Sequence, residues 1–212
     1  SGNVDTTNCL AAIKKLVYDD KVITMKQLVE AVAANWEGYE DIQNMCKKAP
    51  KYGNDDDYVD LLGRQLLADF AEIHNRRPDY MGRPTITPSA YSVTGHYPFG
   101  MRSWASPDGR KAGETFTDAT LSATPGTDTS GPTAVIHSAV KLIDPVVYGS
   151  THFNMKFHPT ALTGKENIDK FLTLLKTYFD EGGYQAQFNC VTQEKLLAAK
   201  ANPEENKDLI VR

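Results

Sequence analysis

The chain has 212 residues, enough for one sizeable core or two small ones, with 41% hydrophobic and 24% charged residues. Its net charge of −4 argues against a nucleic-acid surface, and no run of about 18 apolar residues offers a membrane span. The opening SGNVDTTN has neither a basic n-region nor an apolar h-region, so no signal peptide is expected, and the missing initiator Met suggests a fragment or a processed chain. Cys9, Cys46 and Cys190 are odd in number and widely spaced, which is neither a disulfide framework nor a zinc pattern; a reducing, cytoplasmic setting is the simplest reading.

Residues 1–77 form a helical segment. Thr7 is expected to cap a helix with Leu10, Ile13, Leu16 and Val17 on its apolar face. Thr24 and Gln27 form a capping box ahead of Leu28, Val32 and Trp36, and Gly38 ends that helix. A third short helix holds Ile42, Met45 and Cys46 before Pro50. The acidic run at 54–57 predicts the start of a long helix over 58–77, with Val59, Leu62, Leu66, Phe70 and Ile73 on one face. Arg76-Arg77 before Pro78 reads as a solvated helix end.

Residues 78–150 form a loop-rich segment dense in Pro, Gly, Ser and Thr, the kind of long loop that usually carries function. Strands are predicted at 91–99 and 119–123, and a helix over 133–140 after Pro132. His96, Tyr97 and Phe99 of HYPFG present an imidazole, a phenol and an apolar wall; the choice is between cavity-lining residues and a structural histidine among aromatics. SPDGRKAGE (106–114) is a turn that either binds an anion through Arg110 and Lys111 or simply exposes two cations. PGTDTSGPT (125–133) lacks both nucleotide-binding glycine patterns, so nucleotide binding is rejected.

Residues 151–212 alternate strand and helix, which predicts parallel strands in an α/β architecture. A helix is expected over 164–181 with Ile168, Phe171, Leu172, Leu175 and Phe179 on one face, stopped by Gly182-Gly183. Thr192 caps the next helix, and LIVR begins a further strand. Two strands have a polar face: His152, Asn154 and Lys156 on one, Gln185, Gln187 and Asn189 on the other. That face is either an amide ladder satisfied by neighbouring backbone or the lining of an inserted loop or polar cavity. Cys190 falls on the apolar side by parity, which predicts a buried, inert thiol. His152 and His158 do not make a metal site, and no metal is assigned.

In order along the chain, CLAAIKKLVYDDKVIT, APKYGNDDDYVD, HYPFG, ASPDGRKAGE, GTDTSGPTAV, FNMKFHP, QFNCVT and NPEENKDLIVR resemble segments of the glycyl radical enzymes, the relatives of pyruvate formate-lyase. ASPDGRKAGE and NPEENKDLIVR carry most of the resemblance, and the first half is closer to the dehydratase and decarboxylase branch. The resemblance implies part of a ten-stranded α/β barrel with a helical N-terminal segment. It also implies a glycyl radical installed by an activating enzyme that uses S-adenosylmethionine and an iron–sulfur cluster, with no cofactor bound directly. The thiyl cysteine and the radical glycine, which follows in a V-x-G-Y motif, are expected outside this chain, so the chain alone would be inactive. His96, Tyr97 and Phe99 would line the substrate cavity, and Gln185, Gln187 and Asn189 would contact the glycine loop. A small-molecule substrate, the activating enzyme, the rest of the polypeptide and a second copy are the implied partners. An arylacetate decarboxylase-like reaction is favoured over a diol dehydratase-like or aryl-succinate synthase-like one; the reading of another class is a non-catalytic half-barrel that binds a partner.

Overall fold

A computed structural model describes residues 2–76, 78–82, 94–143, 151–207 and 209. Helix α1 (Asn3–Ile13) begins earlier than expected, behind Gly2, whose carbonyl accepts from Thr6 N–H at 2.9 Å. Thr7 lies inside the helix and is fully buried, its hydroxyl donating to the Asn3 carbonyl at 2.8 Å. A threonine can bond its own helix four residues back as well as cap the next turn, so the residue type alone misplaced the start. α1 widens into a π-helical turn over Lys14–Asp19. There the ion pairs Lys14–Asp19 (2.6 Å) and Lys15–Asp20 (3.0 Å) span five residues, the spacing a π turn stacks.

Helix α3 (Glu40–Lys48) follows the local signals, but α2 (Met25–Ala33) stops short of the expected end at Gly38: Asn35 (φ 52°) and Trp36 (φ 70°) already adopt left-handed backbone, so Trp36 packs from a turn after the helix. Gln27 N–H donates to the Thr24 hydroxyl at 3.2 Å and the Gln27 side chain accepts from Thr24 N–H at 2.8 Å, completing the capping box. Both helices close over Leu16, Leu28, Trp36 and Cys46, a core of their own.

Helix α4 (Asp57–Asn75) starts where the acidic run predicted, with the Asp56 carboxylate accepting from Tyr58 N–H at 2.9 Å. Its buried face differs from the expected one: Val59, Gly63, Leu67 and Ala71 pack inward, while Phe70 and Ile73 are half exposed. Close approach decides this. A Cβ on Gly63 would sit 2.9 Å from the Thr7 hydroxyl and 3.2 Å from a Leu142 methyl, so the small residues, not the largest ones, define the contact with α1 and with α6 (Pro132–Leu142).

Strands β1 (Phe153–Phe157) and β2 (Ala186–Cys190) pair in parallel, as the alternation predicted, joined through a short 3₁₀ turn and α7 (Lys165–Asp180). On the apolar side, Phe153 stacks on Tyr178 with centroids 4.9 Å apart, and Phe188 meets Phe171 edge-on at 4.9 Å. The inward face of α7 is therefore Phe171, Leu174 and Tyr178; Ile168, Leu172 and Phe179 point outward. After α7, Gly182 adopts φ 97° and Gly183 N–H returns to the Tyr178 carbonyl at 2.8 Å. Cys190, expected to be buried, is exposed: it is the last residue of β2 and pairs with Phe157 at the end of the ladder. Thr192 caps α8 (Gln193–Ala201) by accepting from Lys195 N–H.

The main core draws on all three stretches of the chain, with Val4, Val59, Leu121, Ile136, Phe153 and Tyr178 in one cluster. Residues 119–123, expected as a strand, form a turn that leans on the sheet, with Leu121 N–H donating to the His152 carbonyl at 3.1 Å and the Ser122 hydroxyl accepting from Asn154 N–H at 2.8 Å. Residues 91–93 and most of the LIVR strand, 210–212, lie outside the described residues. Among the described residues no helix is long and apolar enough to cross a membrane.

Candidate functional site

HYPFG forms a short helix, α5 (His96–Met101), not the expected strand. Pro98 suggested a strand end, but in the first helical turn its missing N–H breaks no bond. Gly100 sets the position of α5: it is buried, and a Cβ there would lie 2.6 Å from Glu114 O, Thr115 Cα and Phe116 N. The 114–116 backbone is thereby pressed against α5, and Phe116 N–H donates to the His96 carbonyl at 3.1 Å.

The chain then turns at 117–122 and brings Asp118 under β1. The buried Asp118 carboxylate accepts from Asn154 Nδ2 at 3.1 and 3.2 Å and stands 3.7 Å from Lys156 Nζ. A cavity of about 530 Å³ opens between these pieces, lined by His96, Tyr97, Thr117, Asp118 and Lys156 among others. The structure thus joins the HYPFG segment to the polar face of β1. His96 and Tyr97 share this cavity; Phe99 does not line it and is exposed elsewhere on α5. His96 Nδ1 is buried with no hydrogen-bond partner among the described residues.

The back wall is held by buried polar groups. Asp5 accepts from Thr117 N–H (2.9 Å) and from the Thr117 hydroxyl (3.0 Å). Burial pushes the Asp5 carboxyl up, and the two Thr117 bonds pull against that rise. Asn8 donates to the Thr124 hydroxyl at 3.1 Å and accepts from Tyr52 N–H at 2.8 Å.

In β2, Gln187 pairs with Asn154 and Asn189 with Lys156, so the two polar faces align in one ladder. Asn189 is buried; Gln185 precedes the strand, is exposed, and its carbonyl accepts from the Tyr178 hydroxyl at 3.1 Å. These three residues do not line the His96 cavity.

The SPDGR turn does not expose two cations. Lys111 is exposed, but the Arg110 guanidinium is buried, donating to the Ser106 hydroxyl (3.1 Å) and to the carbonyls of Lys111 (3.1 Å), Glu114 (2.7 Å) and Trp104. The turn is gripped from outside by Trp36 Nε1, which donates to the Arg110 carbonyl at 2.9 Å, and by Gln43 Nε2, which donates to the Gly109 carbonyl at 2.9 Å. Four of the guanidinium's five N–H donors are spent on the protein's own hydroxyl and carbonyls. Burial pushes the Cys46 thiol up to about 11 and the Cys9 thiol higher still, so neither is a ready thiolate. No group of three His, Cys, Asp or Glu is placed to hold a metal among the described residues.

Sequence reasoning singled out His96 and Tyr97 but not Asp118 or Lys156 as partners in one cavity. The signal for Lys156 was its place on a polar strand face; Asp118 lies in a turn and had none.

Two paired parallel strands backed by α7, with a polar cavity beside Lys156 of β1, form an α/β segment. The family model for pyruvate formate lyase-like proteins matches residues 1–100, and that for the glycine radical domain matches residues 117–212. The chain belongs to the glycyl radical enzyme family and forms part of its α/β barrel, with a helical N-terminal segment. It is 38% identical to the indoleacetate decarboxylase of Tractidigestivibacter scatoligenes, covering 100% of this chain and 26% of that protein. It is 40% identical to the trans-4-hydroxy-L-proline dehydratase of Clostridioides difficile, covering 97% and 26%. The glycerol-bound B12-independent glycerol dehydratase of Clostridium butyricum superposes with a TM-score of 0.91 at 38% identity, covering 99% of this chain and 26% of that one. The chain spans about a quarter of the length of the curated relatives it matches.

Proposed function

We propose that this chain is the C-terminal portion of a cytoplasmic glycyl radical enzyme, a lyase acting on a small organic substrate, and that it is inactive without the rest of its polypeptide. The observation that carries the reading is the cavity in which α5 presents His96 and Tyr97 to Asp118 of the 117–122 turn and Lys156 of β1. The glycyl radical, installed by an S-adenosylmethionine iron–sulfur activating enzyme, would supply hydrogen-atom abstraction through a thiyl cysteine elsewhere in the polypeptide. This chain's residues bind and orient the substrate and exclude water. Gln185, Gln187 and Asn189 hold the backbone of the glycine loop; the 1–77, 78–150 and 151–212 stretches serve as helical support, cavity wall and barrel wall. The enzyme works as a homo-oligomer.

An arylacetate decarboxylase-like reaction fits a cavity with one ammonium, one imidazole and a phenol. The second reading is a diol dehydratase-like reaction, favoured by the buried Asp118 carboxylate, which can accept from a substrate hydroxyl.

Anaerobic incubation of the full polypeptide with an activating enzyme tests the class. A glycyl radical doublet in electron paramagnetic resonance is expected. Its absence, beside a positive control enzyme activated by the same preparation in a parallel tube, would favour a non-catalytic half-barrel.

A further inference from the structure

Residues 13–33 and 104–107 enclose a groove of about 440 Å³, lined by Ile13, Leu28, Val29, Val32, Trp104 and Pro107 among others. None of its lining residues carries a charge, and none lines the His96 cavity. Ile13, Leu28 and Val32 belong to the small core around Trp36, so the groove is the open side of that core. Its far wall is Trp104, 81% exposed, and Val29 of α2 is 58% exposed. The Trp104 carbonyl accepts from the buried Arg110 guanidinium, so anything seated on the groove also bears on the SPDGR turn.

Exposed apolar surface that continues a core marks a contact site. Interfaces between proteins that associate and part are about as polar as ordinary surface, whereas permanent ones resemble a core cut in half. An uncharged groove belongs to the second kind. A two-fold contact with a second copy would set one concave groove against another and fill neither. The relatives described above are covered over 26% of their length, so about three quarters of such a polypeptide lies outside this chain.

We infer that the groove is an intramolecular docking site, filled by an apolar segment of the same polypeptide that precedes residue 1. The inference rests on the reading of this chain as the C-terminal portion of a longer enzyme. The docked segment completes the small core and braces Trp104, and through Trp104 the SPDGR turn.

The test uses the full polypeptide without activation. Hydroxyl-radical footprinting of the unmodified protein is read by mass spectrometry at Trp104, which is expected to label roughly tenfold more slowly than in urea, where burial is lost. A photoreactive benzophenone amino acid placed at Val29 then identifies the occupant. It is expected to cross-link within one chain to a peptide that precedes residue 1. Trp104 labelling within about twofold of the urea rate would overturn the inference, whether or not the benzophenone variant folds. So would cross-links only to a second copy, only to added activating enzyme, only to a peptide after residue 212, or to nothing outside residues 1–212. A radical signal in a protein whose groove stays open sinks this inference alone; an intrachain cross-link in a protein that never forms a radical sinks the proposed reaction instead.

Discussion

The SPDGR turn and the His96 cavity lie on the same stretch of chain, yet they treat buried polarity in opposite ways. In the turn, Arg110 donates to a hydroxyl and three carbonyls, and Trp36 and Gln43 fix the turn's outward carbonyls. In the cavity, His96 Nδ1 is buried with no hydrogen-bond partner among the described residues. A buried polar group left without a partner costs about 1–3 kcal/mol, so a fold keeps such groups where something else will occupy them. By this criterion the first region is scaffold and the second is the candidate site.

The largest effect should come from breaking the scaffold. Arg110→Ala removes a buried guanidinium and the donor to three part-buried carbonyls, and should lower stability by roughly 3–5 kcal/mol, read by urea denaturation. A loss under about 1 kcal/mol would show that the turn is not held this way. Next is Gly100→Ala, whose Cβ would meet three backbone atoms at 2.6 Å. It should cost about 1–3 kcal/mol and shift α5 away from the cavity, lowering substrate affinity together with stability. If stability falls and affinity does not, α5 does not shape the site.

A smaller, pH-dependent effect belongs to Asp60, far from either region in role. Burial pushes its carboxyl up to about 6, against bonds from Ser138 (2.9 Å) and the Lys141 ammonium (3.4 Å). Lys141 also pairs with Asp55 (2.5 Å) and Asp57 (2.7 Å), and His137 faces Asp55 at 3.1 Å. The folded value lies above the ordinary 3.8, so folding favours the proton. The contribution is fully present below about 3.8 and is lost as pH rises through about 6. Asp60→Asn should therefore flatten the stability profile between those values, measured by thermal melts across pH; an unchanged slope would assign the titration to another group.

The parts legible in the sequence were those set by local chemistry. The Thr24 box, the start of α4 at the acidic run, the Thr192 cap, the Gly182-Gly183 stop and the parallel pairing all follow from residues a few positions apart. The parts missed were set by distant approach. Gly63 and Gly100 matter because of what packs on them, which turned the face of α4 inward along its small residues and made HYPFG a helix. The site was half legible for the same reason: His96 and Tyr97 are conspicuous in sequence, while Asp118 gains its role only from the turn that brings it beneath Asn154 and Lys156.

The most direct test of the cavity as the catalytic site is His96→Ala in the activated full polypeptide, with turnover and radical spins counted on the same sample. A fall in kcat/KM of about 100-fold or more, with the spin count per chain and the melting temperature unchanged, is the expected result. Turnover within about twofold of the native enzyme would contradict it.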